Sequence, residues 1–305
     1  MKVRDLNEDR LLKILLTGLP EGRNVVTGPG DDCAVVQAAQ GSREFLLLKA
    51  DCVVEGIHYL PEHDPVRVGW KALCRAVSDV AAMGGEPLHA LVTIFSPVDR
   101  SVSYWKGFYK GLSKAAKRFG IGIVGGETSR APCAAVSVTL VGRVEAGRLI
   151  TRAAGKPGDL LFVTGTLGGS IQGKHLDFVP RVAEGRWLSA HGYAHAMMDL
   201  SDGLASDLPR LATASGCGFE LDPDLLPRTR GCNANEAMSD GEDYELLIAV
   251  PPRLADRLRR GWKETFPRLR LTEIGTLREP GISATALPQG FDHFFSCQQP
   301  RERAS

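Results

Sequence analysis

An α/β or α+β fold in two halves is what the sequence predicts. Apolar runs of strand length alternate with helix-length segments whose apolar residues recur every three to four positions. Residues 146–158, broken by Gly147, Gly155, Pro157 and Gly158, interrupt that alternation near mid-chain. With 43% hydrophobic and 24% charged residues in 305, each half has enough apolar material for a core. The boundary divides the chain into residues 1–146 and 147–305.

Leu11, Leu12, Leu15 and Leu16 recur at helical spacing, so the chain opens with an amphipathic helix. "CAVVQA" and "EFLLLKADCVV" read as two strands joined by a turn. In "PVRVGWKALCRAVSDVAAMGG", Trp70, Leu73, Val77 and Val80 make one helical stripe, stopped at Gly84-Gly85. "HALVTIFS" is a buried-strand pattern, and "YWKGFYKGLSKAAKRFG" a helix ending at Gly120. "IGIVGGETSR" reads as a strand running into a polar loop, and "AAVSVTLVGRV" as a further strand. In the second half, "LLFVTGT" is a strand. "SDGLASDLPRLATASG" is a helix, and a start with Ser206 as N-cap would put Pro209 in the first turn, where a missing N–H costs little. "EDYELLIAV" is a strand, and "PPRLADRLRRGWKETF" a final helix.

Charge and cysteine usage narrow the function classes. Lys plus Arg total 37 against 36 Asp plus Glu, a net charge of +1, so no global field favours nucleic acid or an anionic membrane. Seven cysteines at wide spacings, with no CxxC, suit free thiols in a reducing compartment. No signal-peptide pattern opens the chain, and no apolar run reaches the roughly 20 residues of a membrane span. A cytoplasmic protein with a local small-molecule site is expected.

Carboxylates supply that site's first signal. Asp31 and Asp32 precede a strand, Asp51 follows "FLLL", and Asp79 lies about halfway round its helix from the apolar stripe. Glu127 follows "IVGG", Asp199 and Asp202 flank Ser201, and Glu242 and Asp243 lead into "ELLIAV". One such residue is ordinarily a turn or capping group. Their recurrence at element ends beside glycine points to Mg²⁺-dependent phosphate chemistry, because hard cations take oxygen ligands and glycine admits a phosphate to the backbone.

Other chemistries find less support. "GGSIQGKH", residues 168–175, fits G-x-x-x-x-G-K but has His175 where a P-loop needs Ser or Thr, and no adequate helix follows. His191 and His195 have i,i+4 spacing without an HExxH context. No G-x-S-x-G is present.

Eight segments in order resemble the thiamine-monophosphate kinase family, of the aminoimidazole-ribonucleotide synthetase-like superfamily. They are "GPGDDCAVV", "ADCVVEGIHYL", "WKALCRAVSDVAAMGGEP", "GGETSR", "TRAAGKPGDLLFVTGTLG", "MDLSDGLASDLPRLA", "DGEDYELLIAV" and "GFDHF", spanning about residues 28 to 294. The resemblance implies an α+β N-terminal domain whose mixed sheet contributes to a dimer β-barrel, and an α/β C-terminal domain closing over the site. It implies ATP-dependent phosphorylation of thiamine monophosphate, several Mg²⁺ ions, a homodimer and no P-loop. Carried over by position, Asp31, Asp32, Asp51, Asp79, Glu127, Asp199 and Asp202 are implied metal ligands. Tyr109, Gly126, Arg152 and Ser201 are implied nucleotide contacts, and His58, Glu242 and Phe291 the thiamine-phosphate contacts. Asp79, Arg152 and Asp202 are implied to act on the transferring group. A carboxylate and an aromatic face also suit a cationic thiazolium on physical grounds. The acceptor is already an ionised phosphate, so in-line transfer needs no covalent intermediate and no obligatory base.

Five positions depart from the family pattern. Lys49 and Ala50 stand where a hydroxyl pair is usual, Cys52 where a threonine follows the aspartate, Glu127 replaces an aspartate, and Asp240 a glycine. They put the metal count in question. They also leave two alternatives: a superfamily enzyme with another acceptor, or a weakly active nucleotide- or thiamine-phosphate-binding paralogue.

Overall fold

The computed structural model describes residues 2–20, 22–282, 287, 288 and 290. Its first half is a six-stranded mixed sheet of β1 (Val25–Thr27), β2 (Ala34–Gln37), β3 (Glu44–Val54), β4 (Glu86–Ser96), β5 (Gly122–Arg130) and β6 (Ala135–Glu145), in the order β1-β2-β3-β6-β4-β5. Only β4 and β5 pair in parallel; the other neighbours are antiparallel. The polar end of "IGIVGGETSR" is therefore strand rather than loop. β5 keeps its register beside β4 through Arg130 opposite Ser96, because strand pairing satisfies the backbone where side-chain polarity alone suggested a loop.

Helix α1 (Glu8–Leu15) precedes this sheet, α2 (Pro65–Ala82) packs on it, and α3 (Val102–Phe119) packs on α2 and shares the core beneath them. Asp64 caps α2 by accepting from the Val66 N–H at 2.9 Å, and Pro65 takes the first turn. α2 and α3 cross at unusually close range. A Cβ on Gly69 would lie 1.9 Å from the Phe108 carbonyl oxygen, and one on Gly111 would lie 1.7 Å from that of Val66. Glycine at both positions is what lets the two backbones touch.

The second half holds β7 (Leu160–Thr164), β8 (Ala196–Asp199), β9 (Gly218–Leu221), β10 (Leu246–Val250) and β11 (Leu271–Arg278), ordered β8-β10-β7-β11-β9 with every pair antiparallel. Helices α4 (Val182–His191), α5 (Leu204–Ala214), α6 (Ala234–Ser239) and α7 (Pro252–Thr265) accompany it, with an apolar cluster on each face. α5 begins three residues before the expected start, with Gly203 rather than Ser206 as N-cap. The Asp207 N–H already donates to the Gly203 carbonyl at 2.9 Å, so Gly203 caps the helix and Pro209 sits inside it.

α2 joins the halves. It packs on β3, β4 and β6 from one side and meets α4 and β8 on the other. Nearly all of it from Val68 onward is buried, including Lys71, Ser78 and Asp79. A helix enclosed all round must satisfy its polar residues internally.

Candidate active site

Lys71, Arg75, Ser78 and Asp79 stand at i, i+4, i+7 and i+8 on α2, one stripe opposite the apolar one. That stripe builds the site. Asp79, Asp32 from the turn before β2, and Asp199 at the end of β8 bring carboxylate oxygens within 4.8 Å of one another, all three side chains buried. The Ser78 hydroxyl donates to Asp199 Oδ2 at 2.5 Å.

Cations from both halves face these acids. Lys49, on the same face of β3 as Asp51, puts Nζ 2.6 Å from Asp79 Oδ1. Arg75 holds Asp51 through Nε and Nη2, each at 3.1 Å. Arg152 pairs with Asp32, and its backbone N–H donates to Asp31 Oδ2 at 3.2 Å. Arg210 of α5 pairs with Asp202 and lies 3.1 Å from Asp207.

Burial pushes the Asp32 carboxyl up to about 6, against the pull of Arg152, with Asp31 adding repulsion. Burial and the neighbouring Asp32 push Asp199 up to about 7. Burial raises Asp79 well above the ordinary carboxylate range, with Lys49 opposing. Such a set gains from a divalent cation. Asp32 Oδ2, buried and without a hydrogen-bond partner among the described residues, offers a free ligand atom. The all-oxygen donor set and that orphaned oxygen fit Mg²⁺.

Two hollows that share Asp202 as a lining residue lie beside this cluster. One, of about 170 Å³, is lined by His58, Arg75, Ser201, Asp202, Glu242 and Tyr244 among others. Behind three of its lining residues, the fully buried Lys71 ammonium donates to the His58 carbonyl at 2.6 Å and to Glu242 Oε2 at 2.8 Å, with His175 Nδ1 2.7 Å away. Burial works against ionised Glu242, yet the hydrogen bond from His175 and the charges of Lys71 and Arg75 win and hold it at about 2. Burial lowers Lys71 to about 8 despite Glu242. Both values fall, but the fall favours the charged form of Glu242 and the neutral form of Lys71, whose ammonium is 0% exposed while the carboxylate side chain keeps 22% of its surface in contact with solvent. The other hollow is an open groove of about 690 Å³ lined by Asp31, Lys49, Arg152, Asp202, Ser206 and Arg210, with α1 along one wall. Asp202 lines both.

The AIR synthase related protein N-terminal-domain family matches residues 30–144, and the corresponding C-terminal-domain family matches residues 156–284. Thiamine-monophosphate kinase of Aquifex aeolicus is 34% identical over 328 aligned residues, covering 96% of this chain and 100% of the relative. The chain belongs to the thiamine-monophosphate kinase family. The same enzyme from Bacillus subtilis is 33% identical, covering 89% of this chain and 94% of the relative. The solved structure of AaThiL complexed with AMPPCP and TMP superposes with a TM-score of 0.82 at 32% identity, covering 96% of this chain and 99% of that one. The hydrogenase maturation protein HypE in complex with ATP shares the fold, with a TM-score of 0.65 at 18% identity.

In this member of the thiamine-monophosphate kinase family, the residues singled out from sequence fall into three groups. Asp31, Asp32, Asp51, Asp79, Asp199, Asp202 and Arg152 meet at the junction of the halves, with Ser201, His58 and Glu242 on the adjoining cavity. Tyr109, Gly126 and Glu127 sit apart from that junction. Tyr109 is 38% exposed on α3, with an edge contact to Phe108. Glu127 is exposed on β5 and accepts from the Thr128 N–H at 2.8 Å. Gly126 has a structural reason of its own, since a Cβ there would lie 1.8 Å from the Val92 carbonyl oxygen. Phe291 lies outside the described residues.

The glycine-rich 168–175 segment is no phosphate cradle. It forms two short 3₁₀ turns, and Lys174 donates to the Thr166 carbonyl at 2.7 Å. His191 and His195 do not share a metal: His191 Nδ1 is 2.8 Å from the Trp187 carbonyl, and His195 is paired with Asp159 at 2.9 Å. Sequence reasoning missed Lys71, Arg75, His175 and Arg210. The polar i, i+4, i+8 spacing of Lys71, Arg75 and Asp79 was the available signal; His175 and Arg210 had none.

Proposed function

We propose that this chain transfers the γ-phosphoryl group of ATP to thiamine monophosphate, giving thiamine diphosphate and ADP. The observation that carries the reading is Asp202, which lines both the open groove, where Lys49, Arg152 and Arg210 also stand, and the small cavity. The groove suits the phosphate tail of ATP, through Lys49 and Arg152. The cavity suits the acceptor, with Glu242 facing the thiazolium cation. AaThiL complexed with AMPPCP and TMP, the 0.82 match, supports assigning one ligand to each.

An oxygen of the acceptor phosphate attacks the γ-phosphorus as the bond to the β-phosphate oxygen breaks, and ADP leaves with that electron pair. The attacking oxygen is already ionised, so no residue need remove a proton. Arg152, fixed on Asp31 and Asp32, and Lys49, fixed on Asp79, present positive charge without reorganisation. Asp32, Asp79 and Asp199 would hold Mg²⁺, with Asp31, Asp51, Asp202 and Glu127 as further candidate ligands; bound there, the ion neutralises phosphate charge. Tyr109, Gly126 and Ser201 remain candidate nucleotide contacts, and His58 and Phe291 candidate acceptor contacts.

A homodimer belongs to this reading. Leu48, Leu91, Phe95 and Val124 of the first sheet are 38%, 45%, 37% and 62% exposed, an apolar surface that a second copy would cover to complete a β-barrel. Among the described residues no helix is long and apolar enough to cross a membrane, and six cysteines are free, which fits a cytoplasmic setting.

The test offers thiamine monophosphate, thiamine and an unrelated phosphate ester to the protein with ATP and Mg²⁺. Thiamine diphosphate and ADP are expected with the first alone. ADP with the unrelated ester instead would assign the chain to another acceptor. Binding of both ligands without turnover would make it a binding protein. Labelled ATP without acceptor should leave no phosphate on the protein.

A further inference from the structure

Two buried polar atoms on the wall of the 170 Å³ cavity have no hydrogen-bond partner among the described residues: Arg75 Nη1 and the Tyr244 hydroxyl. Arg75 directs Nε and Nη2 to Asp51 and leaves Nη1 4.0 Å from Glu242 Oε1, beyond hydrogen-bond reach. Tyr244 is 3% exposed, and its ring stacks on Phe178 with centroids 3.9 Å apart. A buried donor left unmade is costly, and two in one cavity point to a ligand that completes them.

The backbone makes the same point independently. Glu242 and Tyr244 are the two non-glycine residues with positive φ, at 54° and 51°, among the described residues. Hydrogen bonds from Glu242 N–H to the Ser201 carbonyl at 2.7 Å and from Tyr244 N–H to the Leu200 carbonyl at 2.8 Å hold them there. Such conformations persist where the surroundings impose them, and they cluster at ligand sites. Here they turn two side chains of one short segment toward the same cavity.

The cavity also carries both signs of charge. Arg75 is the one Arg or Lys among its described lining residues, Glu242 lies close beside it, and Asp202 and Asp240 add further negative charge. A ligand with both a cationic ring and an anionic phosphate matches that mixture. We propose that Arg75 Nη1 and the Tyr244 hydroxyl together hold the phosphate of the acceptor, setting its attacking oxygen toward Asp202 and the groove. The assignment rests on the kinase reading for the identity of the acceptor. It makes both side chains positioning residues that separate a phosphate ester from the free alcohol.

Titration calorimetry with thiamine monophosphate and with thiamine, on the wild type and on Tyr244→Phe, Arg75→Met and Arg75→Lys, tests it. Loss of a hydrogen bond to a charged group corresponds to roughly tenfold weaker thiamine monophosphate binding for Tyr244→Phe, and about a hundredfold for Arg75→Met. Thiamine affinity should hold within about threefold, and Arg75→Lys should recover part of the preference. Arg75→Met leaves Asp51 and Glu242 short of a counter-charge; if it does not fold, Tyr244→Phe, which removes an unbonded hydroxyl and keeps the stacked ring, decides. Equal weakening of both ligands, or unchanged thiamine monophosphate binding, would overturn the proposal. A wild type that prefers thiamine monophosphate, loses the preference on substitution and yet makes no thiamine diphosphate would sustain the phosphate anchor and sink the kinase reading. A wild type that binds neither ligand would sink both.

Discussion

Lys49 Nζ lies 2.6 Å from Asp79 Oδ1, tying β3 to α2 at the centre of the carboxylate cluster. The ammonium is a built-in counter-charge for acids that burial makes reluctant to ionise. Lys49→Ser removes it and leaves Asp79 facing Asp32 and Asp199. Breaking a buried pair from one side costs about 3 kcal/mol or more. The variant should therefore melt earlier in EDTA, and added Mg²⁺ should restore more stability to it than to the wild type. Melting curves with equal Mg²⁺ response in both proteins would remove Lys49 from this role.

Asp79→Asn keeps the shape of the side chain and removes its charge. Turnover should fall by about 100-fold or more, the scale of losing an electrostatic group at a transferring phosphoryl, with the circular-dichroism spectrum and cooperative unfolding retained. Near-normal turnover would take Asp79 out of the site.

Gly111→Ala tests the helix crossing. Its Cβ would lie 1.7 Å from the Val66 carbonyl oxygen, so the backbones must separate. Overpacking of this kind costs about 1–3 kcal/mol. Urea unfolding should show a lower midpoint; an unchanged midpoint would mean that α2 and α3 are not held this close.

Acid stability should carry a signature of Glu242. Its folded carboxyl is held at about 2, against an ordinary value of 4.5. A depressed acid stabilises the fold above its unfolded value and loses that contribution as pH falls toward the folded one. The window is therefore from about pH 4.5 down to about 2. A shift of roughly two units or more corresponds to about 3 kcal/mol. Glu242→Gln should flatten that part of the stability–pH curve relative to wild type, measured by urea unfolding at each pH. Parallel curves would show that Lys71, His175 and Arg75 do not hold the carboxylate as described.

Much of this architecture can be read from the chain because its signals are local. Trp70, Leu73, Val77 and Val80 announce α2, and the Gly-Pro-Gly turn before Asp31 and Asp32 announces a polar loop before a strand. Other features depend on partners distant in sequence. β8, four buried residues ending at Asp199, has no alternation to mark it, because both faces are covered. β5 looks like a loop beyond Gly126 until β4 is beside it. The acids of the site were visible one by one, whereas their counter-ions were not. Nothing local shows that Arg210 reaches Asp202, or that His175 meets Glu242 across 67 positions of sequence. Tyr109, chosen by resemblance, and Glu127, noted at the end of "IVGG", lie on surfaces away from the cluster in a single chain.

Stereochemistry at the transferred phosphorus tests the central claim most directly, because the groove and the cavity meeting at Asp202 imply a single displacement between bound ATP and bound acceptor. With ATP made chiral at the γ-phosphorus by oxygen isotopes, the thiamine diphosphate formed should carry the inverted configuration. Retention, the mark of two displacements through a phosphorylated side chain, would contradict the account, as would the failure of any label to reach thiamine monophosphate.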